Sequence, residues 1–71
     1  MKFGVVVEKD EDGYYIASVP ELPGCHTQAK TIDQAMKRIK EAIQAYLDAK
    51  GTKDLCQTEL VGIQFVEVHA E

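Results

Sequence analysis

The residues that could support chemistry are concentrated in one stretch of this 71-residue chain, GYYIASVPELPGCHTQAKT, which runs from 13 to 31. Within it Cys25 precedes His26, a combination that can supply a nucleophile and its base. Neighbouring residues on a strand point to opposite faces, so these two side chains could hydrogen-bond only across a bent backbone. The pattern therefore favours a packed thiol and a half-exposed imidazole over a catalytic pair.

The thiols and imidazoles of the chain are too scattered to predict a metal site. They stand at Cys25, His26, Cys56 and His69. Structural zinc sites usually take paired ligands from one short turn, as in C-x-x-C or H-x-x-x-H, and this sequence contains neither pair. We therefore expect no metal and no other cofactor, and we expect both cysteines to be free thiols.

Carboxylates crowd the segment EKDEDG, where they stand at Glu8, Asp10, Glu11 and Asp12. Such a cluster could hold magnesium for phosphoryl chemistry. It is more typical of a solvated turn whose charges keep sheet edges apart. A third interpretation is that the acidic turn meets basic residues of a partner, where it would raise the association rate more than the affinity. The residues alone leave the plain turn and the partner contact open.

Composition and charge narrow the class of protein. Hydrophobic residues make up 45% of the chain and charged residues 28%, as in an ordinary soluble globular protein. The net charge of −4 repels phosphates, so a basic protein is a better partner than nucleic acid. No apolar run approaches the roughly 20 residues that cross a bilayer. The N-terminal run ends at Val7, too short for a secretory signal, and we expect a cytoplasmic protein.

Three short strands are predicted in the first part of the chain. Residues 2–8 are rich in β-branched side chains, and Asp12 and Gly13 then form a strong hairpin turn signal. Residues 14–19 return as a second strand, which ends at the prolines of PELPG because proline cannot donate to a β-ladder. Residues 25–29 are predicted to form a short third strand.

One helix and a last strand complete the predicted fold. Thr31 and Gln34 form a capping-box pattern, apolar residues recur at helical spacing up to residue 50, and Gly51 is a suitable C-terminal cap. Residues 59–70 read as a fourth strand. We therefore predict one α+β domain over residues 1–71, in the order β-β-β-α-β. A right-handed crossover gives a four-stranded mixed sheet of order 3-2-1-4 with the helix on one face.

The first strand, central in this arrangement, is apolar on both faces, because Val5, Val6 and Val7 point alternately to opposite sides. One helix covers only one of these faces. We therefore expect the other face to be buried between copies of the chain, which predicts a homo-oligomer.

Three segments, in this order, resemble the HicB-like antitoxins: EKDEDGYY, VPELPGCHTQ and TIDQAMKRIKEAIQAYL. The resemblance implies a truncated ribonuclease-H-like fold. It also implies that the protein binds a small basic toxin, a HicA-like ribonuclease that cleaves messenger RNA, and covers its active site. Many members of that family carry a C-terminal DNA-binding domain. This sequence ends at Glu71, so we expect no direct nucleic-acid binding by this chain.

A resemblance to a ribonuclease-H-like fold also raises an enzyme hypothesis. Such enzymes hold their metals partly through an acidic residue inside the first strand. Here the strand interior is Phe3-Gly4-Val5-Val6-Val7, whose side chains cannot ligate magnesium. We therefore interpret the protein as a non-enzyme.

The leading hypothesis is an antitoxin-type binding protein of a type II toxin–antitoxin system. The residues that we expect to contact the partner are Asp10, Glu11, Asp12, Tyr15, Glu21 and Cys25. One alternative is a small metal-dependent nuclease or hydrolase. Another is an oligomeric adaptor that has no toxin.

Overall fold

The computed structural model describes residues 1–51 and 58–69. In these residues it contains three strands, β1 (Val6–Lys9), β2 (Tyr15–Ser18) and β3 (His26–Ala29), and one helix, α1 (Ile32–Lys50). β2 is central and pairs antiparallel with both neighbours. The α+β class, the three antiparallel strands and the helix that follows them are confirmed.

The β1–β2 hairpin closes through a three-residue loop. Gly13 N donates to Asp10 O at 3.1 Å, and Asp10 N donates to Tyr14 O at 2.9 Å. Gly13 has a φ of 87°, in the left-handed region where glycine is favoured. A turn followed by a left-handed residue is a common hairpin connection, and the turn predicted at Asp12 and Gly13 is confirmed.

The PELPG segment between β2 and β3 folds into two successive tight turns. Leu22 N donates to Val19 O, Cys25 N donates to Leu22 O, and Val19 N donates to Cys25 O, each at 3.0 Å. Pro23 and Gly24, with φ of 83° at the glycine, occupy the central positions of the second turn, as type II geometry requires. Leu22 is fully buried and anchors the loop to the core. The loop is therefore a fixed part of the fold.

Both ends of α1 carry the caps that the sequence predicts. Thr31 Oγ1 accepts a hydrogen bond from Gln34 N at 3.1 Å, which satisfies one of the free N–H groups of the first turn. Gly51, with φ of 70°, donates its N–H to Leu47 O at 2.7 Å. The helix is amphipathic, and no helix within residues 1–51 or 58–69 is long and apolar enough to cross a membrane.

The core lies between α1 and the face of the sheet that carries Ala17. Its buried residues are Ala17, Val19, Leu22, Cys25, Ala29, Ala35 and Ile39. The helix packs over β3 and β2, so β1 lies at the margin of the covered area. The opposite face carries Val6 and Ile16, both half-buried, among polar residues, and within the single chain nothing described covers it.

The fourth strand predicted over residues 59–70 is not found. Residues 58–69 form no strand, and the sheet of the described residues ends at β1. The sheet order 3-2-1-4 is therefore not supported, nor is the ribonuclease-H-like assignment that depends on the fourth strand. An alternating apolar pattern favours an extended backbone but does not specify the strand with which it pairs. Ala70, the end of the predicted strand, lies outside the described residues.

Candidate functional site

Asp10 organises the turn between β1 and β2. Its Oδ1 accepts hydrogen bonds from Asp12 N and Tyr14 N, both at 2.9 Å, and Gln28 Nε2 donates to Oδ2 at 3.4 Å. An aspartate that accepts from backbone N–H groups two and four residues ahead holds a turn in one conformation. The Asp10 carboxylate is therefore engaged within the fold, and we assign it a positioning role.

Glu11 and Asp12 lie at the end of the same turn and are both exposed. We call these two residues the acidic tip. Because Asp10 fixes the backbone on either side of them, the two carboxylates are presented to solvent from a rigid base. A fixed pair of exposed negative charges is suited to the recognition of a basic surface.

Tyr15 lies next to the acidic tip and is half-buried against the core. Its ring is covered on one side by Lys9, whose Nζ lies 5.6 Å from the ring centroid, a cation–π contact. Beside the ring is a shallow cleft of about 280 Å³, shared with Ile32 and Asp33 at the start of α1. The acidic tip, Tyr15 and the first turn of the helix therefore lie at one end of the sheet.

Glu21 lies at the opposite end of the sheet. Its Oε1 accepts a hydrogen bond from Gly4 N at 2.9 Å, which ties the PELPG loop to the segment before β1. β2 separates this loop from the hairpin turn, and five residues at about 3.3 Å each place some 16 Å between Tyr14 and Val19. The predicted site therefore divides into two parts, and the structure does not bring Glu21 and Cys25 to the acidic tip.

Cys25 is buried in the core, and this burial raises the pKa of its thiol by desolvation. It therefore presents no contact surface to a partner in the folded chain. His26 is exposed on the other face of β3, so the two neighbours point apart, as alternation along a strand requires. Within residues 1–51 and 58–69 no three His, Cys, Asp or Glu side chains are grouped so as to hold a metal ion. Cys56 lies outside the described residues.

Ile32 is one of the apolar residues that recur at helical spacing, a pattern that predicts burial, but in the structure it is a surface residue. It is half exposed and borders the cleft beside Tyr15. The signal that could have identified it is its position directly after the N-cap Thr31, because the buried stripe of α1 begins one turn later, at Ala35. Ile32 adds an apolar side chain to the end of the sheet that carries the acidic tip.

Residues 3–66 match the HicB-like antitoxins of bacterial toxin–antitoxin systems. The chain belongs to this family. The chain is 59% identical over 68 residues to a UPF0150 protein of Archaeoglobus fulgidus, an alignment that covers 96% of each chain. It is 42% identical over 67 residues to a UPF0150 protein of Synechocystis, covering 94% of each chain. It is also 57% identical over 49 residues to a UPF0150 protein of Thermoplasma acidophilum, covering 69% of this chain and 71% of the other.

Family membership bears on the role of the surfaces described above. It indicates an antitoxin role in a toxin–antitoxin system, and a role of this kind requires a surface that binds a toxin. In this chain the end of the sheet that carries the acidic tip combines fixed negative charge with a half-buried aromatic ring and an exposed isoleucine.

Proposed function

We propose that this HicB-like antitoxin binds and silences a small basic toxin, a HicA-like ribonuclease that cleaves messenger RNA. The observation that carries this proposal is the family match over residues 3–66. We propose further that the acidic tip, Glu11 and Asp12, makes the first contact with the toxin. Asp10 supports this contact by holding the turn.

The charge of the chain supports a basic partner. With a net charge of −4, the protein attracts a cationic surface over a distance of roughly 8 Å at physiological ionic strength. Such steering raises the association rate, whereas affinity depends on the buried contacts that follow. Because the turn is already fixed by Asp10, little conformational entropy is lost when Glu11 and Asp12 are bound.

Tyr15 and Ile32 supply the apolar part of the proposed contact. Aromatic residues at the centre of an interface commonly account for much of its binding energy, and surrounding contacts exclude water from them. The Tyr15 ring is held by the core on one side and by Lys9 on another, so only part of it is free to contact a partner. Its position beside the acidic tip places an apolar contact next to a charged one.

The proposed action is protein binding in the cytoplasm, where messenger RNA is cleaved. The net negative charge disfavours direct contact of this chain with RNA or DNA. Silencing then follows from covering the catalytic surface of the toxin rather than from competition for its substrate.

The experiment that tests the proposal is growth rescue by co-expression. We expect a small, strongly basic protein to be encoded beside the gene for this chain, and the probe is that protein, expressed from an inducible promoter. We expect it to arrest growth and wild-type antitoxin to restore growth. In vitro, equimolar antitoxin should stop cleavage of a synthetic messenger RNA by the purified toxin. Continued cleavage with both proteins soluble and folded would overturn the proposed function.

The contact surface is tested with two double variants of equal charge change. Glu11→Lys with Asp12→Lys reverses the acidic tip, whereas Glu41→Lys with Asp48→Lys makes the same change on the exposed side of α1. We expect the first variant to slow association with the toxin by 10-fold or more, on the order of steering effects, and the second to slow it far less. Equal effects of the two variants would show that net charge alone steers the toxin and that the tip is not the contact.

A further inference from the structure

The outer edge of β1 is not paired with any strand among residues 1–51 and 58–69. Among the described residues β1 pairs only with β2. Asp10 N donates toward β2, and the direction of backbone groups alternates along a strand, so Val7 and Lys9 direct their N–H and C=O groups outward. The outer edge of β3 differs, because Arg38 Nη1 donates to Gln28 O there at 2.8 Å. An unprotected edge is a template for the addition of another strand.

An apolar cleft of about 630 Å³ lies beside this open edge. One wall is the segment before β1, with Phe3 and Val5, and the other is the flank of α1, with Met36, Ile39, Ile43 and Leu47. The helix packs over β3 and β2, so the cleft extends from β1 in the direction in which the sheet would continue. A strand added at the β1 edge would place one of its faces against this apolar lining.

A segment of suitable pattern projects from the same chain. We call residues 61–68 the arm. In it Val61 is 94% exposed, Phe65 96%, Val66 81% and Val68 75%, and within the described part of the chain the arm joins neither a strand nor the core. The base of the arm is held, because Leu60 packs directly on Gly4. The arm makes the molecule elongated: its radius of gyration is 13.9 Å, against about 11 Å for a compact chain of this length.

The arm carries apolar side chains on both faces of an extended backbone. Val61, Ile63 and Phe65 lie on one face, and Val66 and Val68 lie on the other. β1 and the residue before it have the same character, with Val5 and Val7 on the face toward α1 and Val6 on the far face. A strand with two apolar faces is typical of a position inside a sheet that is covered on both sides.

We propose that the arm of one chain fills the cleft of a second copy and adds to the outer edge of its β1, and that the second copy returns the same contact. The two complementary parts, the arm and the cleft, are both carried by this chain, so a two-fold exchange satisfies both at once. The arm is held at Leu60 by contact with its own chain, whereas its apolar residues beyond Leu60 are exposed. This is the geometry expected of a segment that packs on a second copy.

The apolar residues exposed on the arm and at the cleft agree with a dimer of this kind. Single soluble chains rarely expose contiguous apolar patches above a few hundred Å². The arm and the cleft supply exposed apolar residues on each copy that the two-fold contact removes from water, and a standard stable interface removes about 800 Å² per partner. The inference does not depend on the proposed antitoxin function, since its test uses this protein alone.

The first test is sedimentation equilibrium of the full chain at micromolar concentrations, with two arm variants of equal charge change. Phe65→Asp places a carboxylate on the face that also carries Val61 and Ile63, which has the larger apolar side chains and is the face that enters the cleft in this arrangement. Gln64→Asp places one on the neighbouring, polar position. We expect the wild type and Gln64→Asp to be dimers and Phe65→Asp to have a dissociation constant raised by about 100-fold or more, because each dimer contains the change twice. A monomeric wild type, or equal dissociation constants for the two variants, would overturn the proposal.

The second test distinguishes an exchanged arm from an arm that folds back on its own chain. In an equimolar mixture of ¹³C-labelled and unlabelled protein, isotope-filtered NOE spectra report only contacts between chains. We expect such contacts between the Phe65 ring and the methyl groups of Val5 and Ile39. The same contacts seen only within one chain would overturn the exchange.

The cleft is tested from its other side on α1. Met36 is exposed at the rim of the cleft, so Met36→Lys should leave the helix intact while placing an ammonium in the path of the arm. Ala45→Lys, at an exposed position on the same helix that does not line the cleft, is the control. We expect only Met36→Lys to weaken the dimer, with both variants showing the wild-type circular dichroism of a folded helix. A dimer unaffected by Met36→Lys would exclude the cleft as the docking site.

Discussion

The Glu21 carboxylate accepts a hydrogen bond from the backbone N–H of Gly4, with Oε1 and N 2.9 Å apart. This contact lies where the β1–β2 ladder stops. Val6 is paired with Ser18, so two residues further along the same register Gly4 stands opposite Pro20. Proline has no N–H and cannot continue the ladder, and the Glu21 side chain instead satisfies the free backbone donor. The loop thus secures the chain segment that leads into β1.

Replacement of Glu21 is therefore expected to destabilise the fold. Hydrogen bonds to charged groups contribute about 1.5–3 kcal/mol to the free energy of unfolding. Because Glu21 is partly exposed, we expect its bond to Gly4 N to contribute an amount near or below the lower end of this range. We expect Glu21→Ala to reduce the free energy of unfolding by about 1–2 kcal/mol and Glu21→Gln, which keeps an acceptor, to cost less. Urea denaturation measures both. The control is Glu11→Ala at the exposed acidic tip, expected within about 0.5 kcal/mol of wild type. A free energy of unfolding that is the same in Glu21→Ala and in the wild type would show that this hydrogen bond does not stabilise the fold.

Asp10 is expected to affect toxin binding through the shape of the turn. Asp10→Ala removes the acceptor shared by Asp12 N and Tyr14 N and should cost about 1–2 kcal/mol of stability. Asp10→Asn keeps an oxygen at that position and removes only the charge. We expect Asp10→Asn to retain most of the wild-type stability, measured by urea denaturation. We also expect it to retain most of the toxin affinity, measured by surface plasmon resonance. Equal loss of toxin binding in both variants, with the fold intact, would assign the Asp10 charge a direct contact.

Gly4 is expected to tolerate no side chain, because Leu60 occupies the space that a methyl group would need. Gly4→Ala should displace Leu60 and cost about 1–3 kcal/mol, as overpacking generally does. The control is Gly62→Ala, and both changes are made in the Phe65→Asp chain, whose arm is not docked on a second copy. There the nearest atom to an added methyl carbon at Gly62 would be Gln64 Nε2 at 3.8 Å, an ordinary contact. Thermal denaturation should separate the two variants clearly. Similar melting temperatures would mean that Leu60 does not pack on Gly4 in solution.

Local signals in the sequence predicted most of the fold. The caps at Thr31 and Gly51 are predictable because each satisfies backbone groups within one turn of its own position. The hairpin turn at Asp12 and Gly13 is predictable for the same reason. The fourth strand depended instead on a pairing distant in sequence, and the alternating pattern of residues 59–70 carried no information about its partner.

The candidate site was predictable only in part. Glu11 and Asp12 are exposed at a turn, as their neighbours in the sequence indicate. The sequence does not show that Asp10 and Glu21 are engaged by backbone N–H groups, because that depends on which donors the folded chain leaves unsatisfied. In the sequence Cys25 directly follows the PELPG loop, which suggests exposure. In the structure it lies in the core, because the two turns around Leu22 direct its side chain inward.

The buried Cys25 thiol is expected to make stability decline at alkaline pH. Desolvation raises its pKa in the folded state above that in the unfolded chain, so the folded state retains the proton while the unfolded state loses it. The contribution of this group is fully present below the unfolded pKa, about 8.5 for a free thiol, and is lost as pH rises through the folded pKa. Cys25→Ala has no thiol to titrate, although it leaves a small cavity. The difference in free energy of unfolding between wild type and Cys25→Ala, measured by urea denaturation at each pH, should therefore narrow above about pH 8.5. A difference that stays constant into the alkaline range would show that the thiol is accessible to solvent in the folded protein, which would in turn free Cys25 to take part in the partner contact.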